Sequence, residues 1–148
     1  MSRVIVICGA TATGKSDIAI EVAQAIGAEI INADSMQLYR GMDIGTAKLP
    51  EDERGGIPHY LLDILDVNQD STVAWYQEIA RSAITDIHAR GKDAVIVGGT
   101  GLYIKAILDD LNFPDTNPEV RAKLEAEADE FGSASLFTRL EELDPAAA

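Results

Sequence analysis

The chain has 148 residues, 47% of them hydrophobic, and a formal net charge of −13. This length fits one domain with a buried core, and because no apolar run approaches the roughly 20 residues of a membrane span, we expect a soluble, cytoplasmic protein without membrane contact. The acidity is concentrated in residues 109–148, which hold eleven acidic and three basic side chains, so the net charge does not exclude a polyanionic ligand at the nearly neutral first third.

The first predicted elements are a strand, a glycine loop, a helix and a second strand. Residues 3–8 (RVIVIC) form a continuous β-branched run, which predicts a strand buried on both faces of a parallel sheet. Cys8 ends this run and is expected to be a buried packing residue. Apolar side chains at helical spacing then predict a helix that stops at Gly27. Residues 28–33 (AEIINA) predict the second strand, which ends at Asp34.

The middle of the chain predicts a long loop followed by a strand, a helix and another strand. Residues 35–58 are rich in Gly, Asp and Thr without a sustained period, which is typical of a partly ordered loop. Residues 60–65 (YLLDIL) predict a short strand. Ser71 is expected to cap a helix that stops at Gly91. Residues 94–101 (AVIVGGTG) predict a buried strand that runs into a glycine turn, after which a further helix begins.

The last part of the chain predicts two helices. Asn117 followed by Pro118 is typical of a helix start, and the pattern continues to about Phe131. Residues 135–143 predict a second, shorter helix, which we expect to form a small pair with the first.

A P-loop pattern occupies the turn between the first strand and the first helix. In such a loop, backbone N–H groups and the helix N-terminus face phosphate oxygens, while the lysine bridges the outer phosphates and the serine can hold Mg²⁺. The sequence therefore predicts a diphosphate or nucleotide site with Ser16 as the metal ligand and Mg²⁺ as the cofactor. Its residues are Gly9, Ala10, Thr11, Ala12, Thr13, Gly14, Lys15 and Ser16.

Two further polar residues are expected at the same edge of the sheet. Because the carboxyl ends of parallel strands meet at one edge, the carboxylate of Asp34 should stand beside the P-loop. From its position it is a catalytic base, a Mg²⁺ ligand or a helix cap. The GGTG turn brings the hydroxyl of Thr100 near Asp34, or is only a tight strand-to-helix connection. In the long loop, Thr46 and Lys48 are either ligand contacts or solvated residues.

Four motifs together resemble the tRNA dimethylallyltransferase family, whose members are also called tRNA isopentenyltransferases. The motifs are GATATGKS, INADSMQLYRGMDIGTAK, PHYLLDIL and VGGTGLYIKAIL, and the resemblance covers residues 4 to about 110. Very many proteins share a bare P-loop, whereas ADSMQLYRGMDIGTAK is far more particular. The departures are small: Ala10 stands where many members have proline, and PHY stands where PHH is frequent.

This resemblance implies a fold, an activity and roles for individual residues. The fold would be α/β, with a P-loop NTPase-like parallel sheet flanked by helices. The P-loop would hold the diphosphate of dimethylallyl diphosphate without consuming ATP, and the dimethylallyl group would go to the exocyclic amine of the adenosine adjacent to the anticodon in tRNA. Asp34 would be the catalytic base with Thr100 beside it, in a monomeric enzyme. The tRNA would contact Asp34, Ser35, Met36, Gln37, Thr100 and Arg121.

The resemblance also implies a longer protein than this chain. Residues 1–112 would form an incomplete P-loop α/β core, and residues 113–148 would begin a helical insertion domain. Three other interpretations stay open. They are an isopentenyl transferase acting on free adenine nucleotides, a small-molecule kinase of the P-loop class, and an incompletely folded remnant. Against the kinase, residues 102–148 hold only two arginines, Arg121 and Arg139, and no arginine-rich lid.

Overall fold

The computed structural model describes residues 2–114 and 117–148. The chain divides into two compact units, Met1–Leu111 and Asn112–Ala148. A 3₁₀ turn, Glu51–Glu53, lies in the long loop of the first unit. The strands and helices, in chain order, are β1 (Val4–Cys8), α1 (Lys15–Ile26), β2 (Glu29–Asn32), β3 (His59–Tyr60), α2 (Val73–Ala89), β4 (Ala94–Gly98), α3 (Gly101–Leu108), α4 (Pro118–Phe131) and α5 (Ser133–Leu143).

The first unit is built on a four-stranded parallel sheet in the order β1-β4-β2-β3. In register, Cys8 at the end of β1 pairs with Gly98 at the end of β4, and Asn32 at the end of β2 pairs with Val97. The carboxyl ends of three strands therefore meet at one edge of the sheet. This arrangement confirms the predicted α/β fold, with a parallel sheet flanked by helices.

Helices cover both faces of the sheet. Successive strand residues point to opposite faces, so Ile30 of β2 packs with the small residues of α1, while Ile31 packs in a larger cluster with α2 and α3. In the larger cluster the rings of Tyr76 and Tyr103 stack with their centroids 3.8 Å apart. Such a contact adds about 0.5–1.5 kcal/mol to the stabilisation from area burial. The core of the first unit thus lies on both sides of β4 and β2.

The prediction that β1 is buried on both faces, with Cys8 inside the core, is wrong. Cys8 is exposed, and the two ends of β1 are exposed while its middle residues are only half-buried. Within the described ranges 2–114 and 117–148, β1 pairs with β4 alone and forms an edge of the sheet. An apolar run predicts a strand but not its place in the strand order, which decides how much of it is covered.

The predicted strand over residues 60–65 is also mostly wrong, because β3 contains only two residues. Leu61 and Asp63 adopt left-handed backbone conformations, with φ values of 62° and 55°, and these interrupt the extended chain. Leu65 then makes a single parallel bridge with Tyr39. Backbone hydrogen bonds from Asp63 and Ile64 to Gln37 and Leu38 hold this segment against the start of the long loop.

Most predicted helix ends are confirmed. Gly27 ends α1 in a left-handed conformation, with φ of 70°, and its N–H donates to the carbonyl of Ala23. Thr72 rather than Ser71 caps α2, because its Oγ1 accepts from the backbone N–H of Trp75 at 3.2 Å. Ser71 instead accepts hydrogen bonds from the hydroxyls of two tyrosines, Tyr39 and Tyr103.

The second unit consists of two helices that contact each other. Asn117 caps α4 as predicted, because its Oδ1 accepts from the N–H groups of Glu119 and Val120. Neither helix contains a buried residue, and the large side chains of Phe131 and Leu143 are exposed. In the part of the chain that the structure describes, no helix is both long and apolar enough to span a membrane.

Candidate active site

The P-loop forms a tight turn between β1 and α1. Gly14 precedes the helix with φ of 79°, a left-handed conformation that glycine adopts without strain. Within the loop, Thr13 Oγ1 donates to the carbonyl oxygen of Ala10 at 2.9 Å, and the ammonium group of Lys15 reaches back to the same oxygen. The loop therefore places a cation and the first turn of α1 at the same end of the sheet.

A cleft of about 240 Å³ opens at this edge of the sheet. It brings together most of the predicted P-loop residues with two residues that follow β2. Among the predicted site residues, the cleft is lined by Thr11, Ala12, Thr13, Gly14, Lys15, Ser16, Asp34 and Gln37. The remaining lining residues are Asp17, Asn32, Thr46, Ala47, Leu49, Val97, Gly98 and Gly99.

Two glycines at the end of β4 allow the three strand ends to approach each other. A Cβ atom at Gly98 would lie 2.3 Å from the backbone carbon and oxygen of Ala33, which is far inside contact distance. A Cβ atom at Gly99 would lie 3.3 Å from the carbonyl oxygen of Gly9, in the P-loop. The glycine turn is therefore required by close backbone packing, and it draws the end of β2 and the P-loop together.

Asp34 and Thr100 lie next to each other through Ser35. Thr100 Oγ1 accepts from the backbone N–H of Ser35 at 3.1 Å and lies 3.4 Å from the Ser35 hydroxyl. Asp34 Oδ1 accepts from the N–H of Met36 at 2.9 Å and closes a turn, although no helix follows. Among the described residues, Oδ2 of Asp34 makes no hydrogen bond. One carboxylate oxygen thus holds the turn and the other remains available at the cleft.

The long loop approaches the cleft through Gln37 and Thr46. Gln37 Nε2 donates to the carbonyl of Thr46 at 2.9 Å, and the Thr46 hydroxyl donates to the carbonyl of Met42 at 2.6 Å. Both residues line the cleft. These internal hydrogen bonds give the loop one defined arrangement at the site.

Lys48 is neither a ligand contact nor a solvated residue. Its buried ammonium group donates to the carbonyl of Tyr39 at 2.6 Å, to Asp43 at 2.9 Å and to Asp63 at 2.6 Å. Burial alone would lower the pKa of Lys48, but the hydrogen bonds to the two carboxylates outweigh it and the pKa is raised. Lys48 therefore stays charged and ties the long loop to the turn after β3.

One predicted residue lies in the second unit, and one residue that was not predicted lies on the wall of the cleft. Arg121 lies on α4 in the second unit, where it is exposed and pairs with Glu125 at 2.7 Å. Asn32, which the sequence analysis did not select, is buried at the end of β2 and lines the cleft. Its signal in the sequence is an amide at the end of an apolar strand, two positions before Asp34.

Comparisons with known proteins identify the family of this chain. A model of the IPP transferase family matches residues 37–148. Two proteins named tRNA dimethylallyltransferase, from Thermobifida fusca and Streptomyces griseus subsp. griseus, are 56% and 58% identical to this chain. The alignments cover 100% and 99% of this chain, and 48% and 47% of the two relatives. The chain thus spans about half the length of the curated relatives it matches.

Solved structures are similar as well. The full-length tRNA isopentenylpyrophosphate transferase from Bacillus halodurans is 41% identical with a TM-score of 0.75, over 99% of this chain and 49% of that one. A eukaryotic dimethylallyltransferase acting on tRNA is 33% identical with a TM-score of 0.84, over 98% of this chain and 36% of that one. From the family match and these likenesses, the chain belongs to the IPP transferase family.

Proposed function

We propose that this chain carries the diphosphate site and the catalytic base of a tRNA dimethylallyltransferase. The enzyme transfers a dimethylallyl group from dimethylallyl diphosphate to the exocyclic amine of the adenosine adjacent to the anticodon in tRNA. The single observation that carries the proposal is that the P-loop and the Asp34 carboxylate line one cleft. A phosphate cradle and a carboxylate at one place suit a reaction with a diphosphate leaving group and a weakly basic amine.

The P-loop side of the cleft stabilises the leaving group. As the bond between carbon and the diphosphate oxygen breaks, negative charge develops on the diphosphate, and donors already in place lower the barrier. Lys15 supplies a full positive charge, while the loop amides and the N-terminus of α1 supply further donors. We therefore assign residues 9–16 to diphosphate binding.

A Mg²⁺ ion fits this donor set. The Ser16 hydroxyl and the Asp17 carboxylate are hard oxygen donors that line the cleft, and diphosphate oxygens would complete a coordination shell of the kind that Mg²⁺ prefers. Among the described residues, no cluster of three His, Cys, Asp or Glu side chains is arranged to hold a metal by itself. The ion, when bound with the substrate, supplies additional charge stabilisation to the diphosphate.

Asp34, which lines the same cleft as the P-loop, is the base. The new bond forms between the adenosine nitrogen and the allylic carbon, the carbon–oxygen bond breaks, and the nitrogen proton passes to the Asp34 carboxylate. Thr100, held beside Asp34 through Ser35, contacts the reacting amine or a diphosphate oxygen. Leu49 and Val97 add apolar surface to the same cleft for the five-carbon group.

The tRNA approaches from the side of the segment that follows β2. The adenosine amine is inaccessible while the base is stacked, so the base must be extruded into the cleft. We assign Ser35, Met36 and Gln37 to contacts with the extruded nucleotide, and Arg121 to a phosphate contact. The proposal includes a monomeric, cytoplasmic enzyme, with residues 1–112 as the P-loop core and residues 113–148 as the start of a helical insertion domain.

Labelled dimethylallyl diphosphate tests this function. The protein that carries this chain is incubated with the label, Mg²⁺ and either tRNA or AMP, ADP and ATP. We expect label in tRNA alone. Label in free nucleotide would instead identify a nucleotide isopentenyl transferase, and phosphate transfer from ATP would identify a kinase.

The base assignment is tested with Asp34→Ala. Loss of a general base costs about 10²- to 10⁴-fold in rate, whereas dimethylallyl diphosphate binding, measured by calorimetry, should be retained. Asp70→Ala is the matched control, because Asp70 is an exposed carboxylate outside the cleft. Transfer by Asp34→Ala at the rate of the control would remove Asp34 from the role of base.

A further inference from the structure

Three polar side chains are buried in the part of the chain that the structure describes: Glu29, Asn32 and Lys48. Glu29 and Lys48 are compensated by ion pairs. Asn32 is 3% exposed and carries no charge. An uncharged amide is buried at a net cost unless its hydrogen bonds are made, so its partners indicate why the position is polar.

The Asn32 side chain binds the backbone of Asp34 on both sides. Its Oδ1 accepts from the N–H of Asp34 at 2.9 Å, and its Nδ2 donates to the carbonyl of Asp34 at 2.9 Å. Nδ2 also donates to the carbonyl of Leu61 at 2.9 Å. The partners determine the orientation of the amide, because exchanging its oxygen and nitrogen would place the oxygen against two carbonyl oxygens.

Contacts with the core hold Asn32 in place. Its backbone carbonyl accepts from the buried Tyr76 hydroxyl at 2.7 Å, and the Tyr76 ring stacks on Tyr103. Leu61, whose carbonyl accepts the second hydrogen bond from Nδ2, lies directly after β3 and adopts a φ of 62°. A contiguous set of contacts therefore runs from the α2 and α3 core through Asn32 to Asp34.

We propose that Asn32 is a positioning residue that sets the direction of the Asp34 carboxylate. This inference rests on the proposed function, in which Asp34 is the base. A base must lie within about 3 Å of the proton it accepts, and a displacement of about 1 Å can cost on the order of 10²-fold in rate. The clamp holds the peptide groups on both sides of the Asp34 Cα, which leaves the carboxylate few orientations toward the cleft.

The test compares Asn32→Ala and Asn32→Asp with Glu29→Gln in the protein that carries this chain. Asn32→Ala removes all three side-chain hydrogen bonds, while Asn32→Asp keeps the shape but turns an oxygen toward two carbonyls. Glu29→Gln alters a buried polar group at the opposite end of the same strand, so it controls for loss of stability without a change at Asp34.

We expect kcat for dimethylallyl transfer to tRNA to fall about 10- to 100-fold in both Asn32 variants. In Asn32→Ala the affinity for dimethylallyl diphosphate, measured by calorimetry, should change by less than about threefold, because the hydrogen bonds of the Asn32 side chain go to Asp34 and Leu61 and not to the P-loop. Glu29→Gln should unfold at a lower temperature and keep its kcat. Native kcat in Asn32→Ala would overturn the inference. A fall in kcat for Glu29→Gln as large as that for Asn32→Ala would also overturn it, because lost stability alone would then explain both results.

Amide hydrogen exchange separates this inference from the proposed function. The N–H groups of Asp34 and Met36 should exchange faster in Asn32→Ala and at the native rate in Glu29→Gln. If the native protein fails to transfer the label, the proposed function fails, yet the exchange rates still report on the clamp. Unchanged protection of the Asp34 amide in Asn32→Ala would show that Asn32 does not hold it.

Discussion

Glu29 offers a test of how a buried charge stabilises the amino end of β2. The side chain is 1% exposed and accepts from Arg90 at 2.6 Å, Lys92 at 2.7 Å and the Tyr60 hydroxyl at 2.8 Å. The pKa of Glu29 is lowered from 4.5 to about 2. The hydrogen bond from Arg90 contributes most, burial opposes it, and the hydrogen bonds from Lys92 and Tyr60 add to the lowering.

The perturbation is Glu29→Gln, which removes the charge and nearly keeps the shape. A shift of this size corresponds to an upper bound of about 3 kcal/mol of stabilisation by the ionised form. The side chains of Arg90 and Lys92 are 39% and 45% exposed. Water therefore solvates these two cations when the carboxylate is removed, which reduces the loss of stability. We therefore expect the free energy of unfolding to fall by about 1–2 kcal/mol at pH 7.

The pH dependence has a definite sign. Because the folded pKa lies below the unfolded value, the stabilisation is present above about pH 4.5 and is lost as the pH falls toward 2. Denaturant unfolding of the native and Glu29→Gln proteins at several pH values measures the difference. It should shrink steadily below pH 4.5. A difference that is as large at the acid end of this range as at neutral pH would refute the electrostatic explanation.

Two further substitutions test the packing around the cleft. Lys48→Met leaves the carboxylates of Asp43 and Asp63 without their shared cation, and it should lower the free energy of unfolding by about 1–3 kcal/mol. Lys123→Met, which changes an exposed lysine of α4, is the control and should leave the free energy of unfolding unchanged. Equal unfolding midpoints for these two variants would show that the ion pairs of Lys48 do not stabilise the fold. Gly98→Ala places a Cβ atom against the backbone after β2 and should cost about 3 kcal/mol or more, while Gly101→Ala meets no atom within 4 Å. A Gly98→Ala protein that unfolds at the native temperature would show that the two strand ends can separate freely.

Local patterns in the sequence predicted much of the fold and the P-loop side of the site. Gly14, Gly27 and Asn117 act through the backbone of adjacent residues, so their effects can be read from neighbouring positions. The parallel order of the strands then places Asp34 at the edge of the sheet that carries the P-loop. Both inferences need only the period of the apolar residues and the residue types at the turns.

The remainder depended on contacts between distant positions. Lys48 looks solvated in a polar loop, and only its contact with Asp63, 15 positions later, explains its burial. Cys8 looks buried in an apolar strand, and only the strand order shows that it lies on an edge. Nothing in a local pattern specifies which partner a side chain meets across the fold.

The two ends of β2 carry buried polar groups with different consequences. At the amino end, Glu29 engages charges that face solvent on the side away from the P-loop, so its loss lowers stability without moving the cleft. At the carboxyl end, the hydrogen bonds of Asn32 are directed at Asp34, which lines the cleft, and at Leu61, which follows β3. Because these groups lie at opposite ends of the four-residue strand β2, stability and catalytic geometry can be altered independently. Glu29→Gln and Asn32→Ala, two single substitutions on one strand, therefore distinguish a residue that stabilises the fold from one that orients the catalytic base.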